Sequence, residues 1–246
     1  MYKVSVIIPV YNAEKTITDA INSVINQTIG FENIELILID DKSTDNSKQV
    51  IKPFDEKYEN IKFIQLNENS GLPSHPRNVG IENSTSPYLM FADNDDMLTP
   101  ASCKTLYDAI TSTDSDVVEC SVCYKFNDGF YSFSKNQTNE IFLVEDKSTL
   151  RCTCWGFIIK SDLVKKNNIK FPLHVPEDGI FITTVVGHAS TFYRMPNFYG
   201  YAYTVESEDD VSYIHDINND RFLDYLKGHY PYVDTLRKFD IDVFQS

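Results

Sequence analysis

A chain of 246 residues with 42% apolar and 13% aromatic residues, 9 Gly and 10 Pro is long enough to bury a substantial core, and this composition argues against disorder over most of its length. The formal net charge of −14, with no basic stripe interleaved with aromatics, excludes nucleic acid as an expected partner. An acidic protein that handles an anionic ligand must instead bring local cations, either a bound metal ion or a placed Arg or Lys.

The first element is VSVIIPV (4–10), an apolar β-branched run of strand length, and Ile17, Ala20, Ile21, Val24 and Ile25 follow at helical spacing. IELILIDD (34–41) repeats the pattern, a buried strand with Ser43 or Thr44 as N-cap of a helix that Pro53 stops. KFIQL (62–66) is a third strand, and residues 76–83 form a short helix. YLMFAD (88–93) is a fourth, after which Thr99 and Pro100 take the N-cap and N1 positions of a helix to about residue 111. Four such alternations with near-continuous apolar strands predict a mostly parallel α/β sheet with helices on both faces.

From residue 116 the texture changes. DVVECSVCYKF, an Asn127-Asp128-Gly129 turn and FYSFS predict a strand and hairpin. WGFIIK (155–160) reads as a strand, with helices over 162–168 and 178–189, edge strands at TFYRM and YGYAYTV, and a helical tail carrying Phe222, Tyr225 and Leu226. Without a Pro/Gly/Ser-rich linker, one domain with two halves is expected. Cys120, Cys123, Cys152 and Cys154 could be four zinc ligands by count, but a strand over DVVECSVCYKF points Cys120 and Cys123 to opposite faces, so buried free thiols are expected. The N-terminus lacks the regions of a signal peptide, and no apolar run approaches the ~18–20 residues that span a bilayer, so a soluble cytoplasmic protein is the expectation.

Ligands of open parallel sheets bind beyond the carboxyl ends of the strands. Those ends carry Pro9, Tyr11 and Asn12; Asp40 and Asp41; Asn67, Asn69, Ser70 and Gly71; and Asp93, Asn94, Asp95 and Asp96. Each group alone reads as turn and cap residues, but four converging on one rim point to a site. The carboxylates of Asp93-Asn94-Asp95 suit a hard cation such as Mg²⁺ or Mn²⁺, which also takes phosphate oxygens into its shell. An EF-hand loop beginning at Asp93 fails at Met97 and Leu98, a phosphatase motif lacks its hydroxyl residue near Met97, and no GxGxxG follows the first strand.

In order and spacing, VSVIIPVYN, LILIDDKSTDNS, NSGLPSHPRNVGI, YLMFADNDDML, WGFIIKSDLVKKNNIKFP and PEDGIF resemble the family 2 glycosyltransferases, inverting enzymes of the GT-A fold that use nucleotide-diphosphate sugars. Within that family the NSGLPSHPRN form is similar to the wall-teichoic-acid N-acetylglucosamine transferases. The resemblance implies a Rossmann-like GT-A domain over 1–205, with a nucleotide-sugar half (1–115) and a smaller antiparallel acceptor half (116–205), followed by a loop and helical tail (206–246). It places Pro9 and Tyr11 about the base, with Tyr11 stacking on uracil, and Asp41 accepting the uracil N3–H. Asn69 joins the donor site, Arg77 reaches the base or diphosphate, Asp93 and Asn94 hold the ribose region, and Asp95 holds Mn²⁺ or Mg²⁺. Of the Glu177-Asp178 pair, Asp178 is the implied general base, and an N-cap role for a helix starting near Gly179 is compatible with it.

Trp155 is a candidate acceptor wall and equally a core residue, His215 is assigned no role, and Glu206 to Asp210 reads as a solvated loop and candidate lid. The implied partners are a UDP-sugar donor and a glycan or polyol-phosphate acceptor. Two other classes compete. A sugar-nucleotide nucleotidyltransferase wants a Gly-rich phosphate loop where YNAEKT stands, and a non-catalytic nucleotide-sugar-binding relative is disfavoured by the retained Asp41, Asp93, Asp95 and Asp178. Two departures from the family stand out: Thr204-Val205-Glu206 replaces a common Arg, and the chain stops where many relatives continue into a membrane-association or oligomerisation region. Peripheral membrane association at the inner face, and the oligomeric state, are left open.

Overall fold

The computed structural model describes residues 1–126, 129–131, 151, 153–174 and 176–205. The expected tail over 206–246 with His215, Phe222, Tyr225 and Leu226, the Glu206–Asp210 run, Asn127, Asp128 and Cys152 lie outside the described residues. The elements run β1 (Val4–Val10), α1 (Ile17–Ile25), β2 (Ile34–Asp40), α2 (Ser47–Lys57), β3 (Ile61–Gln65), α3 (Ser74–Asn83), β4 (Tyr88–Phe91), β5 (Met97–Leu98) and α4 (Ser102–Thr113). They continue as β6 (Val117–Phe126), β7 (Gly129–Tyr131), β8 (Phe157–Lys160), α5 (Ser161–Lys166), α6 (Glu177–His188) and β9 (Phe192–Thr204).

One sheet runs in the order β3-β2-β1-β4-β8-β6-β9-β5, with β7 on β6. The first four strands are parallel, with Val4 opposite both Ile34 and Tyr88. Beyond β4 the pairing is mixed: β8 is antiparallel to β4 and β6, and β5 to β9, while β6 and β9 run parallel. β1 shows why its sequence is apolar on both faces, with Ser5 as the one polar position, paired to Glu35. Val4, Val6, Ile8 and Val10 pack with α1, α2 and α4 on one face, and Ile7 packs with the α3, α5 and α6 side on the other.

The order 3-2-1-4 reverses direction after β3. Right-handed crossovers therefore place α1 and α2 on one face and α3 on the opposite one, beside α6. This reversal brings residues of α3 and α6, about a hundred positions apart, to one point on the rim. Close approach of α3 to β1 requires Gly80, where an added Cβ would lie 2.4 Å from Ile7 Cγ2. Gly80→Ala is expected to cost about 1–3 kcal/mol by overpacking, read as a lowered denaturant midpoint with an unchanged m-value.

Three expected boundaries move. Ser43 and Thr44 do not cap α2; their backbone and hydroxyl groups bond Asp40 and Asn12, tying the β1 and β2 loops together, and the helix starts at Ser47. Pro53 lies inside α2 rather than ending it. The lost hydrogen bond and ring clash cost about 3 kcal/mol, offset by burial of Ile51 and packing of Val50 and Phe54 against the core. Thr99 bonds the Tyr199 carbonyl instead of capping, and α4 begins at Ser102.

The two expected edge strands are one interior strand, β9, between β6 and β5. Its register jumps from Cys120↔Met195 to Ser121↔Tyr199, so Pro196, which has no N–H to donate, sits in an irregularity where none is demanded. As expected, Cys120 and Cys123 are buried and free, as are Cys103 and Cys154. No helix among the described residues is long and apolar enough to cross a membrane.

Candidate functional site

Where β1, β2 and β4 end, a cavity of about 390 Å³ opens, lined among others by Pro9, Tyr11, Asp41, Asn69, Arg77, Asp93, Asn94, Asp95, Glu177 and Asp178. The strand-end residues thus converge as the sequence predicts, joined by the first turns of α3 and α6. Trp155 is not among the lining residues; its ring stacks on Tyr201 at 4.5 Å and 6°, and packs against the core.

The first wall is shaped by hydrogen bonds within the loops. Asp41 is buried, and its carboxylate accepts both the N–H and the hydroxyl of Ser70, which pins the 69–71 loop beside β2. Asn69 is used locally: its amide donates to the Asp41 carbonyl at 2.9 Å and its oxygen accepts the Gly71 N–H at 2.8 Å. Gly71 has φ 79°, a conformation that suits glycine. Asn94 donates to the Pro9 carbonyl at 3.0 Å and so joins the β4 loop to the end of β1. Tyr11 is exposed on the rim, its ring open to a flat ligand.

The second wall centres on Arg77, whose side chain is only 3% exposed. Its Nη2 donates to Asp93 Oδ1 and its Nη1 to Asp178 Oδ1, each at 2.6 Å, with Glu177 Oε1 3.9 Å from Nη1. Asp178 Oδ2 accepts the Cys154 backbone N–H at 3.2 Å. The helix α6 begins at Glu177 with Pro176 as N-cap, so Asp178 stands within the first turn and is not its cap. Burial raises the pKa of Asp178, with the Asp93 charge acting the same way and Arg77 opposing them. Burial likewise raises that of Glu177, assisted by the charge of Asp178.

Asp96 is a brace. Buried at 2% exposure, it accepts the Tyr201 hydroxyl and the Thr204 N–H, each at 2.7 Å. Burial and the charge of Asp93 push its pKa up to about 8. The Tyr201 oxygen in turn accepts the Asp93 N–H at 3.1 Å, so β9 holds the acidic loop in place. Sequence reasoning missed Tyr201 and the Cys154 N–H, and placed Ser70 on the rim without its bond to Asp41; nothing local names the partner of Tyr201. Tyr201→Phe keeps the ring stack and strips two buried groups of a partner. A loss of about 1–3 kcal/mol is expected, followed by the fluorescence of the single tryptophan, Trp155, during urea unfolding.

The donor set decides whether the expected cation fits. Among the described residues, five carboxylates line the cavity against one cation, Arg77, which Asp93 and Asp178 already engage. Among the described residues no group of three or more His, Cys, Asp or Glu could hold a metal by itself. Asp95 is exposed on the rim, and a hard carboxylate there suits Mg²⁺ or Mn²⁺, ions that keep waters and complete their shells with phosphate oxygens. The residues fit a cation that arrives with an anionic ligand.

Residues 5–196 match the family described as Glycosyl transferase family 2. The chain is 34% identical over 182 residues to the poly(ribitol-phosphate) beta-glucosyltransferase of Bacillus spizizenii, covering 73% of this chain and 28% of that protein. It is 34% identical over 186 residues to the poly(ribitol-phosphate) beta-N-acetylglucosaminyltransferase TarS of Staphylococcus aureus, covering 74% of this chain and 32% of TarS. The chain therefore spans less than a third of the length of these curated relatives. The crystal structure of S. aureus TarS 1-349 in complex with UDP superposes with a TM-score of 0.76 at 22% identity, over 98% of this chain and 83% of that one. The corresponding UDP-GlcNAc complex gives 0.74 at 23%, over 96% and 80%. At these identities the likeness is one of fold.

Proposed function

The chain belongs to glycosyl transferase family 2, and from that premise we propose that it moves a sugar from a UDP-sugar to a hydroxyl of a glycan or polyol-phosphate polymer with inversion. The observation that carries the reading is a GT-A sheet whose rim gathers a ring-sized wall at Tyr11, a buried acceptor at Asp41 and a carboxylate with raised pKa at Asp178. Residues 1–205 are the catalytic domain in this reading, with the donor held by the 1–115 half and the acceptor by the 116–205 half. The relatives' names, which describe poly(ribitol-phosphate) transferases, support a teichoic-acid-like acceptor. The four buried free thiols among the described residues support a reducing, cytoplasmic location.

Uracil stacks on Tyr11 and donates its N3–H to Asp41, whose carboxylate has lone pairs beyond those Ser70 occupies. Asp93 and Asn94 meet the ribose. Asp95 holds Mg²⁺ or Mn²⁺, which when bound offsets the charge of the diphosphate leaving group. The acceptor oxygen attacks the anomeric carbon opposite the nucleotide; the new C–O bond forms as the bond to UDP breaks, and the proton passes to Asp178. No covalent sugar–enzyme intermediate is needed. Trp155 enters this reading as an acceptor wall only through the part of its ring that Tyr201 leaves uncovered. The test is release of UDP across a panel of UDP-sugars with polyol-phosphate and glycan acceptors, with and without Mn²⁺. Turnover of one donor is expected; neither turnover nor binding of any nucleotide sugar would overturn the reading.

A further inference from the structure

We infer that Arg77 is a positioning residue for the base rather than a ligand of the donor: its guanidinium is a buried strut that fixes Asp178 against Asp93 and leaves Asp178 Oδ2 as the proton-accepting atom. This rests on the proposed transfer reaction. Each terminal nitrogen donates at 2.6 Å to a carboxylate of a different element, the β4 loop and α6. The guanidinium carbon lies 5.3 Å from the Phe171 ring centre, and Phe171 stacks on Phe181 of α6 at 3.8 Å and 8°. The side chain is therefore held by packing and by both partners before any donor arrives. On Asp178, Oδ1 takes the short Arg77 bond, whereas Oδ2 faces Cys154, whose backbone N–H donates to it at 3.2 Å and whose thiol also bonds the carboxylate, and it lies on a residue that lines the cavity. A rigid planar fork can hold two carboxylates at once, and the point charge of a lysine cannot reproduce that span.

The charged and titratable groups facing Asp178 are Arg77 from α3, Asp93 from the β4 loop, Cys154 from the segment before β8, and Glu177 on α6 itself. Arg77 lowers the pKa of Asp178 and Asp93 raises it, so altering each should move the titration in opposite directions. The experiment measures kcat and donor KM against pH for wild type, Arg77→Lys and Asp93→Asn. In parallel, ¹³C NMR titration of carboxyl-labelled aspartates reads Asp178 directly, assigned by the signal lost in Asp178→Asn. Arg77→Lys is expected to lower kcat about 10- to 100-fold with little change in donor KM, and to shift the acidic limb and the Asp178 titration upward. Asp93→Asn is expected to shift the same titration downward. A raised donor KM with unchanged kcat in Arg77→Lys, or an Asp178 titration that neither variant moves, overturns the inference. Because the NMR titration needs no turnover, a wild type without transferase activity would sink the proposed function and still leave the strut decided. Should Arg77→Lys fail to fold, Arg77→Gln is read by the same kcat, donor KM and Asp178 titration, and the same outcomes decide.

Discussion

Asp178→Asn is expected to lower transfer by about 10²- to 10⁴-fold while leaving UDP affinity nearly unchanged. The amide keeps the shape of the side chain and removes its basicity. Arg77 retains its 2.6 Å bond to Asp93, so the wall on the donor side stays anchored and the variant should fold. Because burial raises the folded-state pKa of Asp178, the acidic limb of kcat/KM in the wild type is expected above the ordinary carboxylate range near ~4, with activity rising as the group ionises. Stability has the opposite sign. A raised folded pKa contributes stability below the unfolded pKa, and that contribution is lost as pH rises through the folded value, a loss the Asn variant lacks. Steady-state kinetics and UDP calorimetry on the same preparations check this. Joint loss of transfer and UDP binding would make Asp178 a structural residue.

The parallel part of the sheet was readable because its signals are local. An apolar strand that ends in Asp or Asn states both where the strand stops and which groups stand on the rim, so Asp41, Asp93, Asn94 and Asp95 line the cavity as their positions predict. Arg77 lines the cavity, as its place beside the rim suggests, but its ion pairs are not legible locally. Its partner Asp178 is 101 positions away, and only the reversal of strand order after β3 puts α3 on the face of α6. Asp96 shows the same limit: what ties it down comes from residues 201 and 204, and no local pattern records that pairing. Helix boundaries shifted for a different reason. Ser43, Thr44 and Thr99 have the chemistry of caps, but loop carbonyls and side chains compete for them, and for Pro53 tertiary packing outweighs an unfavourable propensity.

Chelation of divalent cations is expected to abolish transfer and weaken UDP binding, and Asp95→Ala to weaken UDP binding about 10- to 100-fold, or roughly 1.4–2.7 kcal/mol. The argument is electrostatic. A diphosphate entering this cavity meets Asp41, Asp93, Asp95, Glu177 and Asp178, and two like unit charges brought to about 4 Å cost about 4 kcal/mol at an effective dielectric constant of 20. Arg77 offers no spare charge, because its single positive charge is already shared between Asp93 and Asp178. A cation carried on the phosphates therefore supplies what the described lining residues lack, and Asp95, exposed on the rim, is the carboxylate best placed to receive it. Calorimetric titration of UDP with and without Mn²⁺ separates the two contributions. In the wild type Mn²⁺ should tighten binding, and in Asp95→Ala most of that gain should vanish. Full retention of the Mn²⁺ effect in the variant would move the cation to another carboxylate of the rim. Metal-independent UDP binding and transfer in the wild type would instead require a cationic group other than Arg77 to offset the five acids.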